Sequence, residues 1–209
     1  MASVSRINGF RPVKSITGSP YNGAANVYFI PASDSSVVMV GDAVKLLGDA
    51  RAASGVPTVT RISAATDIPV GIVVGILFSG VANEAQNIPP VNDLNTPVYR
   101  RASTDRYVLV CDDPNMVYEV QYAGTSVAAA TITANVGLNG QFTTTAGSTA
   151  SGSSGQQLDS AGLATTATLP LKIVGFPNRP DNIPGDTYFS YWVKLNASAF
   201  ATGTGSAGT

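Results

Sequence analysis

An all-β fold, a single β-barrel or jelly-roll-like sandwich with an extended N-terminal arm, is the architecture the sequence predicts, and three observations predict it. Short apolar or alternating runs succeed one another along most of the chain, with Gly, Pro, Asn and Asp between them and no sustained helical period. The runs are rich in Val, Ile, Thr and aromatic residues, which suit a pleated, half-buried surface. Charged residues make up only 12% of the 209, about half the ~25% usual for globular chains. Ser, Thr, Asn, Gly and Ala must then cover much of the exterior. Small uncharged residues lose little when desolvated against a neighbour, so such an exterior suits an assembly subunit as well as it suits a plain solvated surface.

Residues 1–26 read as the arm. Ile7, Phe10, Val13, Ile16 and Tyr21 are isolated anchors among Ser, Asn, Gly and Pro, and their spacing fits neither one helix face nor one strand face. Aromatic and Arg side chains most often carry interface energy. Phe10, Arg11 and Tyr21, with the neighbouring Asn22, are therefore the candidate contact residues, and the arm is expected to latch onto something outside its own domain, the alternative being that it folds back on its own barrel.

Residues 27–200 form the predicted barrel or sandwich domain. Strands are expected over 27–31, over 36–47 with a break at Gly41-Asp42, and over 56–62. Another is expected over 68–78, where Gly71 and Gly75 would bend a strand at a barrel corner. After a Pro- and Asn-rich loop over 83–96 come strands at 97–102, 106–111 and 116–122. The last alternates Met116, Tyr118, Val120 and Tyr122 against Val117, Glu119 and Gln121. Asp112-Asp113-Pro114-Asn115 has type I turn chemistry and predicts a 106–122 hairpin. The Ala-rich stretch 126–136 is a candidate short helix, opposed by Thr131, Ile132 and Thr133. Residues 143–157, almost all Thr, Ser, Gly and Ala, read as a flexible exposed loop. Final strands lie within 166–176 and 187–195, with the Tyr188–Trp192 aromatics plugging the core, and 201–209 is a frayed tail.

The chain contains no histidine, which removes the usual general base, the commonest metal ligand and the Ser-His-Asp triad. No phosphate-cradling or dinucleotide-binding glycine motif sits between a strand and a helix. The carboxylate pairs Asp112/Asp113 and Asp181/Asp186 fall in turns, where Asp serves the backbone, and Asp181, Asn182 and Asp186 follow no known calcium-loop spacing. No catalytic residue, cofactor or metal is expected. Net charge is −1, without the basic footprint that nucleic acid requires; Arg100, Arg101 and Arg106 are expected to pair with Asp105, Asp112 and Asp113. The lone Cys111 reads as a small buried hydrophobe. No apolar run reaches the ~18 residues of a membrane span, and no leader is apparent, so synthesis in the cytoplasm is expected.

Several motifs resemble those of small virion proteins of tailed bacteriophages. They are Phe10-Arg11-Pro12-Val13, Ser19-Pro20-Tyr21-Asn22-Gly23, Tyr28-Phe29-Ile30-Pro31-Ala32-Ser33-Asp34, Val40-Gly41-Asp42-Ala43-Val44-Lys45, Gln157-Leu158-Asp159-Ser160, Ala164-Thr165-Thr166-Ala167, Pro180-Asp181-Asn182-Ile183-Pro184-Gly185-Asp186 and Trp192-Val193-Lys194-Leu195-Asn196. The resemblance implies a capsid cement or decoration protein, a β-barrel or jelly-roll-like subunit bound as a homodimer or homotrimer to the major capsid protein on the outside of the icosahedral head. Two alternatives share the composition. One is a tail or baseplate component; the other is a carbohydrate-binding sandwich with Tyr99, Tyr107 and Tyr118 at its rim.

Overall fold

The structure, a computed structural model, describes residues 4–77, 98–124, 128–200 and 208. The expected loop over 83–96 and nearly all of the 201–209 tail lie outside the described residues. The elements run β1 (Arg11–Ser15), β2 (Asn26–Ile30), β3 (Ala43–Ala50), β4 (Pro57–Arg61), β5 (Gly71–Ile76), β6 (Arg106–Cys111), β7 (Met116–Gln121), α1 (Ala129–Ala134), β8 (Asn139–Gly140), β9 (Leu171–Gly175) and β10 (Ser190–Leu195). The fold is all-β, as predicted, but it divides into two parts. A closed barrel takes the order β2-β4-β3-β5-β6, and an open five-stranded sheet takes the order β1-β7-β10-β9-β8.

The barrel is closed by one parallel contact, Phe29 with Thr58, between β2 and β4; its other pairings are antiparallel. Alternation explains its interior. Tyr28, Ile30, Val44, Val59, Val108 and Val110 point inward and form one apolar cluster, while their chain neighbours face out. β5 slips register against β6 between Val73 and Gly75, an irregularity of the kind that lets a strand turn a barrel corner.

A second core lies between the barrel and the sheet. Ala43, Ile72 and Cys111 from barrel strands meet Tyr118, Tyr191 and Val193 from β7 and β10. Phe189 and Tyr191 stack edge-on at 5.0 Å and Tyr122 meets Tyr191 at 5.6 Å, so part of the aromatic group plugs the core as expected, whereas Trp192 takes the opposite face. Helix α1 contributes Ile132 to the same core, and the Tyr191 hydroxyl donates to the Ile132 carbonyl at 3.0 Å. Cys111 is buried here, as its strand setting predicts, and burial pushes its thiol pKa up.

Four expectations are corrected by this architecture. The 106–122 segment is not a hairpin. The turn chemistry is present, with the Asn115 amide donating to Asp113 Oδ1 at 2.8 Å. Yet β6 pairs with β2 and β5, and β7 pairs with β1 and β10. The turn hands the chain from barrel to sheet because the apolar face of β7 covers the second core. The expected strand over 97–102 reduces, among its described residues, to an isolated bridge between Arg100 and Val38.

The N-terminal arm is likewise built into the fold over residues 10–15. β1 pairs with β7, and its irregularity between Pro12 and Lys14 accommodates the proline at a sheet edge. The crossing that leads into β1 depends on two glycines. Gly9 and Gly41 have φ of +67° and +92°, and a Cβ on either would lie 2.4 Å from a backbone oxygen of the other segment. Only residues without a Cβ allow that approach.

Finally, the segment 152–157 is a packed connector rather than part of a flexible loop. Ser154 and Gln156 are buried. The Ser154 amide donates to the Val40 carbonyl at 3.0 Å, and Gln156 Oε1 accepts the Ala43 amide at 2.7 Å. Ser154 Oγ donates to Asp42 Oδ1 at 2.6 Å, beside the Arg61 guanidinium at 3.2 Å, and Asp42 Oδ2 accepts the Met39 amide at 2.8 Å. Burial raises the Asp42 pKa, and Arg61, Ser154 and the Met39 amide pull it back. Hydrogen bonds to a buried charge contribute about 1.5–3 kcal/mol each. Ser154→Ala is therefore expected to lower unfolding free energy by that amount in denaturant titration, while Thr149→Ala, at an exposed position of the same stretch, shifts it by less than about 0.5 kcal/mol. Equal effects would mean that Ser154 contributes no more than a surface residue.

Candidate interaction surface

The outward face of the five-stranded sheet is where the fold gathers side chains that its core does not use. In β7 and β10 the inward set is Tyr118, Val120, Tyr191 and Val193, which leaves Val117, Glu119, Trp192 and Lys194 facing outward. Register then defines two transverse rows. In the first, Arg11 of β1 lies opposite Glu119 of β7, which lies opposite Trp192 of β10. In the second, Lys14 lies opposite Val117, Val117 opposite Lys194, Lys194 opposite Lys172, and Lys172 opposite Asn139.

The two rows touch through Lys14, whose Nζ stands 4.1 Å over the Trp192 ring, a cation–π contact. Val117 is fully buried although it faces outward. It lies between Lys14 and Lys194 in the row, and long cationic side chains can lay their methylenes on apolar surface while keeping the head group in water. Trp192 is half-buried, and its Nε1 has no acceptor among the described residues.

One end of the face is closed by ion pairs. Arg179 makes a two-pronged contact with Glu119, at 2.8 and 3.0 Å, and reaches Asp181 at 3.2 Å; Arg6 pairs with Asp181 at 2.7 Å. The hydrogen bonds of Glu119 raise the Arg179 pKa further. Asn182 fixes the loop that carries Arg179 by donating to the Pro177 and Ser190 carbonyls and accepting the Ser190 amide. Tyr188 has left-handed backbone, φ 63°, which turns it out to solvent while Phe189 enters the core. Arg6, Glu119, Arg179, Asp181 and Tyr188 line a cleft of about 80 Å³.

The sequence-predicted contact residues separate. Phe10 is in the core, 1% exposed, edge-on to Phe142 at 5.1 Å, and cannot touch a partner. Arg11 is exposed on the sheet face just described. Tyr21 is half-buried, its amide bonded to the Val13 carbonyl and its hydroxyl to that of Ala24. Phe10, Arg11 and Tyr21 do meet around one depression of about 220 Å³, with Val40 and Val73. Asn22 is exposed and apart from them, its Oδ1 accepting the Ala24 amide in a local turn.

The candidates weighed for other chemistry are also accounted for. Asp112 accepts from Asn26 and Tyr28, whose hydroxyl pKa is raised by burial and then by Asp112, and Asp113 caps its turn. Asp181 is taken by Arg6 and Arg179, and Asn182 by the backbone. Arg100 is not the surface group expected of it but is buried and bonded to carbonyls. Tyr118 is buried and Tyr107 lies against Phe29 with Arg51 over its ring, so the three tyrosines do not form a sugar-binding rim. Comparison of the chain with protein families, curated proteins and solved structures returns no match.

Proposed function

We propose that the chain is a non-enzymatic virion subunit that decorates and stabilises the head of a tailed bacteriophage, docking on the major capsid protein from outside as a dimer or trimer. The motif resemblance suggests the role. The observation that carries it is the outward sheet face, where an aromatic, a lysine row and a clamped Arg–carboxylate group are displayed on five hydrogen-bonded strands. Aromatic and Arg groups are enriched in protein interfaces, and a hydrogen-bonded sheet holds them without the entropy loss of ordering a loop.

Sheet edges offer less support for self-association than the sequence suggests. The barrel has none, and β1 is covered over its second half by residues 19–21, with the Ser15 amide bonded to the Ser19 carbonyl at 2.8 Å. The oligomer therefore rests on the resemblance alone.

Adding the purified protein to undecorated heads of the phage that encodes it, followed by electron cryomicroscopy, tests the reading. Density for this fold on the outer shell surface is the expected result. Density in the tail or baseplate would replace this role with the runner-up, and a bare shell together with a tail lacking the protein would overturn both.

A further inference from the structure

Asparagine is followed by glycine at Asn8-Gly9, Asn22-Gly23 and Asn139-Gly140, and the fold gives each pair a different setting. The pairing matters chemically. The backbone nitrogen after an asparagine can attack that residue's own side-chain carbonyl, and a glycine, having no Cβ, leaves this nitrogen unhindered. Attack closes a five-membered ring, so the reacting groups are neighbours by covalent structure and lack only the right rotation.

Asn139 and Gly140 form β8, buried in its ladder with β9. Asn139 Nδ2 donates to the Thr166 carbonyl at 3.0 Å, and the Asn139 backbone exchanges bonds with Ala164 at 2.8 and 2.9 Å. Backbone bonded on both sides cannot make the rotation without opening. Asn8 is exposed, but Gly9 is buried at the crossing, where a Cβ on Gly41 would lie 2.4 Å from the Asn8 carbonyl oxygen. Turning the Asn8–Gly9 peptide towards ring closure would disturb that contact.

At the remaining pair, Asn22, Gly23 and Ala24 are all exposed. A Cβ on Gly23 would meet nothing within 4 Å, and the Gly23 amide makes no hydrogen bond among the described residues. The Ala24 amide donates to Asn22 Oδ1 at 3.1 Å. This is the oxygen on which negative charge gathers when a nucleophile adds to Asn22 Cγ, and a backbone N–H at that distance stabilises such an oxyanion.

We propose that Asn22 is a self-modification site, where the chain deamidates through a cyclic imide formed with Gly23. The Gly23 nitrogen gives up its proton to solvent base and bonds to Asn22 Cγ. The bond from Cγ to Nδ2 then breaks, and Nδ2 leaves as ammonia with a proton from water. A second water opens the imide. Hydrolysis at Cγ yields aspartate; hydrolysis at the main-chain carbonyl carbon yields isoaspartate, whose backbone runs through Cβ and Cγ. Solvent supplies every co-reactant, and the step does not depend on the decoration reading. Either product adds a negative charge to a depression of about 440 Å³ that Asn22 lines with Asp112, Asp113 and Met116. Isoaspartate also lengthens the backbone between Tyr21, whose amide bonds the Val13 carbonyl at the outer side of β1, and Asn26, where β2 begins.

The folded full-length chain, incubated in mildly alkaline buffer and followed by peptide mapping with mass spectrometry, reads all three pairs in one sample. At Asn22 the mass gain of exchanging an amide NH2 for OH is expected to accumulate, with isoaspartate and aspartate both formed. Asn8 and Asn139 are expected to react about tenfold or more slowly, because they must wait for local opening of the fold. In urea the three rates are expected to converge. Isoelectric focusing should show an acidic shift that Asn22→Gln abolishes, since its longer side chain would have to close a larger ring. Equal rates at the three pairs in the folded chain would overturn the proposal, as would Asn8 or Asn139 reacting ahead of Asn22. So would an Asn22 that stays intact while the urea-unfolded chain deamidates. Aspartate without isoaspartate would replace the imide by direct hydrolysis. An Asn22 lead that persists undiminished in urea would assign the preference to neighbouring residue types and remove the fold from it.

Discussion

Arg100→Ala is expected to lower the free energy of unfolding by about 3–5 kcal/mol, the range for deleting one partner of a buried charged network. Arg100 is fully buried. Its Nε donates to the Thr104 carbonyl at 2.9 Å, Nη2 donates to the Pro31 and Asp34 carbonyls at 2.8 and 2.7 Å, and Nη1 donates to the Ser36 carbonyl. Asp34 Oδ1 lies 3.9 Å away. The planar guanidinium thus ties three carbonyls of the β2–β3 connection to one at the entrance to β6, and its own backbone bonds Val38 in both directions. Burial lowers its pKa, and Asp34 and Asp105 oppose that shift. Removing it leaves four carbonyls of this half-buried connection without their donor and the Asp34 carboxylate without its neighbouring cation. Arg100→Lys should recover only part of the loss, because an ammonium group cannot match a fork of donors in fixed directions. Guanidinium titrations followed by far-ultraviolet circular dichroism read both variants. An Arg100→Ala midpoint close to wild type would show that the connection closes without its cation.

Neighbouring elements differ sharply in how legible they were. β2, β4, β6, β7 and β10 were readable because each alternates over five or six residues with one face in a core, and period 2 is a property of the local sequence. β1 was not. It has a proline at its second position and a register irregularity directly after it, and both disguise the alternation of a strand that pairs with residues more than a hundred positions away. Segment 152–157 failed for a different reason. Gly and Ser are the composition of a flexible linker, but also of a chain that must pass close to other backbone, and the second use is set by Asp42 and Val40, far away in sequence. The predicted hairpin failed because turn chemistry fixes a change of direction but not which sheet the next strand joins.

The outward face was hidden by the same limitation. Lys172 and Lys194 each occupy an ordinary polar position of an alternating strand, and Lys14 sits in a segment with no visible period. Net charge near zero pointed away from any basic surface. Only the register of β1, β7, β10 and β9 makes one row of the three. Arg11 was identified as a contact candidate because Arg is common in interfaces, and it does lie on this face; Phe10 was chosen on the same general ground and lies beneath it. Residue type alone does not distinguish an interface aromatic from a core aromatic.

Phe10 therefore yields the test that separates a folded-back N-terminal segment from an external latch. Phe10→Ala is expected to cost about 3–5 kcal/mol, the range for truncating a buried phenylalanine in a well-packed core. The ring sits between barrel and sheet against Phe142, and its amide donates to the Gly41 carbonyl at 3.0 Å at the crossing where neither glycine tolerates a Cβ. Little room exists for the surroundings to close over the space left behind. Phe10→Leu, which keeps most of the volume, should cost less than about 1.5 kcal/mol. Deletion of residues 1–23 removes the Phe10 ring and the whole of β1, exposing the outer edge of β7, and is expected to unfold the sheet rather than merely detach the protein from a partner. Thermal melts followed by Trp192 fluorescence measure all three. A truncated chain that melts like the intact one would mean that residues 10–15 contribute nothing to the sheet and are held only by an external surface.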